Sequence, residues 1–143
     1  MSYAAVVGLD SLPGGGSELY FHIVEADGST GGERLFWSGK DTGFITDVSD
    51  RRAVMDAVLL GLGQLLARVA PPEFRWFTHD ERPPKKALLK FAAIRRAVEG
   101  CGYTVSSSRL PLGRRAWHAV RAAPVPVDRS AGGSDPAAAR VRP

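Results

Sequence analysis

The order in which the periodic segments arrive constrains this chain more than any single motif. Three β-rich runs come first. A long helical pattern, a β run, a second helical pattern, a further β run and a short final segment follow. This order predicts an α/β fold with helices packed on a mixed sheet. An aspartate closes the first β run (Asp10) and another closes the fourth (Asp80). Strand ends of this kind can bring distant carboxylates to one edge of a sheet, and clustered carboxylates hold divalent metal.

Tyr3 to Leu9 reads as a buried strand, and Pro13-Gly14-Gly15-Gly16-Ser17 as a turn. Leu19 to Val24 is rich in β-formers, Asp27 to Gly32 makes a hairpin loop, and Arg34 to Ser38 starts a third strand. The three form an antiparallel meander. Ser49 or Asp50 can cap a helix reaching about Val69, whose apolar positions (Val54, Met55, Val58, Leu59, Leu62, Leu65, Leu66, Val69) keep helical spacing. Pro71-Pro72 ends it. Phe74 to Thr78 is the fourth strand.

Pro83-Pro84 opens the second helix and Gly100 stops it. Leu88, Phe91, Ala92, Ile94, Ala97 and Val98 supply its buried side, and Lys85, Lys86, Lys90, Arg95 and Arg96 its wet side. Tyr103 to Ser106 is the fifth strand. Residues 113–123 read as a short helix, with an extended reading open for Trp117-His118-Ala119-Val120. Trp37, Trp76 and Trp117 read as core. The domain is expected over residues 1–123. Residues 124–143, rich in Pro, Ala, Gly and Arg, are expected to be a disordered tail.

The net charge of +4 hides an asymmetry. Residues 1–80 carry six Lys/Arg against eleven Asp/Glu, a net −5, whereas residues 81–121 carry ten against two, a net +8. A basic half beside an acidic half suits a protein that grips a polyanion on one side and places metal on the other. The plainer reading is a solvated basic helix face. The single cysteine, Cys101, forms no intramolecular disulfide. With no apolar run near the ~20 residues that span a bilayer, and none suited to a signal peptide, the expected place is the cytoplasm, away from membranes. The Gly14–Gly16 run lacks the Lys-Ser/Thr of a phosphate-binding P-loop.

Asp10 in Gly8-Leu9-Asp10-Ser11, Asp80 in Phe77-Thr78-His79-Asp80-Glu81, and the small and apolar run Ala57 to Leu62 together resemble the ribonuclease H-like superfamily. The resemblance covers residues 1 to about 123. It implies a five-stranded mixed sheet with element order βββαβαβα and flanking helices. It also implies acidic residues holding two metal ions, Mg²⁺ or Mn²⁺, that hydrolyse a nucleic-acid phosphodiester. Asp10 and Asp80 match the first-strand and fourth-strand acids. Val54 stands at the helix glutamate position. Asp56 lies two residues on, about 200° around the helix. His118 stands where the family has its final aspartate.

The resemblance therefore implies catalytic residues Asp10, Asp80, Asp56 and His118, with Asp10, Asp80 and Asp56 on metal. Lys85, Lys86, Lys90, Arg95 and Arg96 would contact phosphates of an RNA–DNA hybrid or duplex. Each residue also has a plain structural reading: a turn for Asp10, a helix start for Asp80, a solvated helix face for Asp56, and a packed or surface site for His118. Two functions follow. One is a metal-dependent nuclease acting on RNA in hybrids. The other is an inactive module of the same fold that binds nucleic acid or a protein partner, which Val54 and His118 favour.

Overall fold

The computed structural model describes residues 2–29, 31–37, 45–78 and 80–123, with 33–37 as backbone only. The elements are β1 (Ser2–Ser11), β2 (Ser17–Asp27), β3 (Gly32–Trp37), α1 (Val48–Val69), β4 (Glu73–Phe77), α2 (Lys85–Gly100), β5 (Tyr103–Arg109), a 3-10 turn (Pro111–Gly113) and β6 (Arg115–Arg121). The fold is α/β. Five strands run side by side in the order β1-β2-β4-β6-β5, and β3 adds a sixth by pairing with β2. The side chain of Trp37 and the expected tail at 124–143 lie outside the described residues.

The first three strands form the expected antiparallel meander. Its middle strand, β2, also pairs parallel with β4, Glu18 beside Arg75. The remaining pairs, β4 with β6 and β5 with β6, are antiparallel. The sheet is therefore mixed.

The expected final helix is corrected to a strand. Leu112 and Gly113 sit at φ 62° and 84°. Left-handed residues of this kind break a helical run before it starts. In β6, Trp117 and Ala119 are buried, while His118 and Val120 face out. That alternation has the period of a strand. Strand β5 also runs on to Arg109 to match β6 along its whole length.

Helix α1 begins slightly earlier than the sequence suggests. Asp47 is its cap, accepting from the backbone N–H groups of Ser49 (2.7 Å) and Asp50 (3.1 Å). Hydrogen bonds from the Ser49 hydroxyl and these two amides hold the Asp47 carboxyl below the usual carboxylate range. The helix ends at Ala70, in the left-handed region at φ 45°, whose N–H closes on the carbonyl of Leu66.

Both helices lie on one face of the sheet. Val58, Leu62 and Leu66 of α1 and Phe91, Ile94 and Val98 of α2 join one core with Leu19, Phe21, Phe74, Trp76, Tyr103, Val105, Trp117 and Ala119 from the strands. Aromatic rings fill its centre. Trp117 stacks between Trp76 (5.9 Å between ring centroids) and Phe91 (4.9 Å), and Tyr103 meets Phe74 edge-on at 5.2 Å. The Tyr103 hydroxyl donates to the carbonyl of Pro71 at 2.9 Å, tying β5 to the end of α1. No helix among the described residues is long and apolar enough to cross a membrane.

Candidate functional site

Alternate residues of the same strands point away from the helices and build a second, bare face. Pairing registers place Asp10, Glu18, Arg75, His118 and Ser106 in one row across β1, β2, β4, β6 and β5. Continuing two residues along each strand gives the next row: Gly8, Tyr20, Phe77, Ala116 and Ser108. The phenol end of Tyr20 lies directly over Gly8, where an added Cβ would come within 2.4 Å of its hydroxyl oxygen. A hollow of about 360 Å³ opens on this face between Glu73, Arg75, Phe77, Ser106, Ser108 and His118.

The hollow is open, with polar side chains set beside the apolar walls of Phe77, Leu110 and Ala116. His118 Nε2 lies 3.1 Å from Glu73 Oε2, with both side chains nearly half exposed. Such a pair contributes little to stability. The Ser106 hydroxyl points to the backbone carbonyl of His118 at 3.5 Å rather than to its ring, so no nucleophile–base contact forms. The Arg75 guanidinium reaches over the β1–β2 turn, 3.5 Å from where a Cβ of Gly16 would lie. Among the described residues it forms no ion pair.

The end of the sheet beyond Phe77 is basic. Thr78, almost fully buried, organises it. Its N–H donates to the carbonyl of Arg115, its hydroxyl oxygen accepts from the N–H of Arg115 (2.8 Å), and its carbonyl accepts from Arg114 Nε (3.0 Å). The turn before β6 packs on the β4–α2 loop, with Gly113 so close to the Glu81 carbonyl that an added Cβ would lie 2.6 Å from it. Arg109 and Arg115 face each other across the β5–β6 pair. Helix α2 starts at this end with Lys85 and Lys86 and no acid in its first turn. Arg82, Lys85, Lys86, Arg109, Arg114 and Arg115 thus gather from three stretches of chain, against Asp80 and Glu81. A helix N-terminus there adds positive potential.

The expected carboxylate cluster does not assemble. Strand β1 is antiparallel to β2, and β2 is parallel to β4, so the C-terminal ends of β1 and β4 point to opposite ends of the sheet. Strand β2 also lies between them, a separation of about 10 Å. Asp10 is exposed on the bare face, and Asp56 is exposed on α1, beyond the other face. Asp80 is exposed in the bend after β4. His118 lies on a strand, paired with Glu73. Among the described residues no three Asp, Glu, His or Cys side chains gather as a metal site. As placed among the described residues, Asp10, Asp56 and Asp80 do not share one Mg²⁺ or Mn²⁺ centre.

The expected cationic ridge on α2 is divided. Lys85, Lys86 and Arg96 are exposed. Arg95 is bound to Glu99 (2.9 Å) and to the carbonyl of Val105 (3.2 Å). Lys90 is half-buried over the Phe91 ring and lines a small hollow against α1.

The chain matches no known family model, no curated protein and no solved structure. Sequence reading passed over Arg75, Tyr20 and Phe77. The signal was present in Glu73-Phe74-Arg75-Trp76-Phe77, where strand alternation turns Arg75 and Phe77 to the face opposite Phe74 and Trp76. It also passed over Arg109 and Arg115, whose pairing needs a hairpin register.

Proposed function

We propose that this protein is a nucleic-acid-binding module that works by contact rather than by hydrolysis. The observation that carries this reading is the gathering of Arg82, Lys85, Lys86, Arg109, Arg114 and Arg115 at the end of the sheet beyond Phe77, around the start of α2 and the β5–β6 turn. Cations grouped on a firm scaffold suit a phosphate backbone, which supplies most of the affinity in sequence-tolerant binding. Tyr20 and Phe77, on the bare face next to that end, offer aromatic surfaces to bases or sugars, and Arg75 offers a guanidinium further along the same face. The element order from β1 to β5 is the part of the ribonuclease H-like likeness that supports a nucleic-acid role. The dispersal of Asp10, Asp56 and Asp80 supports a module of that kind without the metal chemistry.

The test is a salt titration with labelled RNA–DNA hybrid, duplex and single strand. Binding should weaken steeply with salt. The triple variant Arg82→Glu, Lys85→Glu, Lys86→Glu should lower affinity at least about tenfold. It should also flatten the salt slope by about one for each phosphate no longer neutralised. Added Mg²⁺ should produce no cleavage. Absence of binding to every probe at low salt overturns the reading, and hybrid cleavage abolished in Asp10→Asn restores the nuclease.

A further inference from the structure

Among the described residues the outer edge of β1 is the longest unpaired strand edge in the sheet. It runs from Ser2 to Ser11, keeps unbroken register with β2, and carries no proline and no lysine. Edges like this are normally blunted by such devices, because their free N–H and C=O groups recruit another strand. Here Val6 is 45% exposed and its neighbours Ala4 and Gly8 are small. Among the described residues nothing pairs with this edge.

Helix α1 runs alongside the same edge. Tyr3 and Ala5 border a hollow of about 280 Å³ with Asp50, Ala53, Val54 and Ala57, and Val7 lies against Gly61, 3.3 Å from where a Cβ would be. Strand and helix therefore advance in the same direction. With rises of about 3.3 and 1.5 Å per residue, Val6 is level with about residue 59 of the helix. The flank of α1 on this side reads Asp50, Ala57, Gly61, Gln64, Arg68. Asp50 and Arg68 are five turns apart and share one stripe, acid at one end, base at the other and small residues between. Among the described residues neither takes part in an ion pair within its own chain.

We propose that two copies of this chain join β1 to β1, antiparallel across a twofold axis near Val6, with their α1 helices side by side. An axis there pairs Ser2 with Asp10, Tyr3 with Leu9 and Ala4 with Gly8 of the second copy, so no like charges oppose. The same axis sets Asp50 against Arg68 of the second copy at both ends of the helix pair, and Ala57 against Gly61 at its centre. Helix α1 packs over β1 and β2, which puts the two helix axes about 10 Å apart, a packing distance that small residues permit. The contact is isologous and closes at two copies.

The test is the mass of the full chain in solution, by light scattering and sedimentation across a micromolar concentration series. A particle of twice the chain mass is expected. Val6→Lys should give a monomer with an unchanged far-UV spectrum and a melting temperature that no longer rises with protein concentration. Arg68→Glu should weaken association at least about tenfold by opposing Asp50, and adding Asp50→Lys should restore it. A monomer at every concentration overturns the proposal. So does a dimer indifferent to Val6→Lys, or one that Arg68→Glu weakens and Asp50→Lys does not rescue.

Discussion

The two faces of this sheet are built from alternate residues of the same strands, yet they obey different constraints. Trp76 and Arg75 are neighbours in β4. One is sealed under two helices between Trp117 and Phe74, and the other reaches over a glycine turn into solvent. On the covered face a side chain is held by volume and shape. On the bare face it is held by little, so its chemistry is free to serve a ligand. The difference teaches where stability and recognition can be changed separately.

The comparison breaks most visibly at Trp76. Trp76→Ala removes a fully buried ring from the centre of the aromatic stack and should cost about 3–5 kcal/mol. In a domain of this size that leaves little folded protein, to be read in urea or thermal unfolding. If Trp76→Ala melts like the wild type, the covered face is not the core.

A smaller effect is expected at the margin of the covered face. Tyr103→Phe takes away the hydroxyl that donates to Pro71 and leaves that carbonyl unpartnered, a loss of about 1 kcal/mol. Burial pushes the Tyr103 hydroxyl above its ordinary range, partly offset by Arg121. A raised folded-state value means the stabilisation is complete below the unfolded tyrosine pKa, about 10, and fades as pH climbs through the folded one. Tyr103→Phe should therefore show a shallower alkaline decline in melting temperature than the wild type. An equal decline would exclude Tyr103 as its source.

The smallest change in stability belongs to the bare face. Arg75→Ala should alter unfolding free energy by no more than about 0.5 kcal/mol. The same variant should reduce nucleic-acid affinity several-fold, measured by anisotropy with labelled hybrid, duplex and single strand. A drop in stability with binding intact would reverse the assignment of roles to the two faces.

Much of this division was readable in the sequence, because burial writes periodicity into it. Val58, Leu62 and Leu66, and Phe91, Ile94 and Val98, mark the inner sides of both helices by spacing alone. The final segment misled because Ala116, Ala119 and Val120 satisfy a helical spacing, while Trp117 and Ala119 satisfy a strand's. The left-handed residues at Leu112 and Gly113, which decide the matter, become visible only in the backbone. The fate of Asp10 and Asp80 was not readable at all. Element order fixes which strands exist but not which are neighbours. The placement of β2 between β1 and β4 separates two aspartates that the order alone left free to meet. The basic end was hidden for the same reason, since Arg109 meets Arg115 only through hairpin pairing.

Gly113 and the glycines of the β1–β2 turn share a positive φ but differ in freedom. Around Gly14 and Gly15 an added Cβ would meet nothing within 4 Å, whereas at Gly113 it would strike the Glu81 main chain. A reporter peptide or a few extra residues can therefore be grafted between Gly14 and Gly15, clear of Gly16 and the Arg75 guanidinium above it. The same graft at Gly113 would pry apart the two loops that carry the arginines and lysines, making it a site for silencing the protein rather than labelling it.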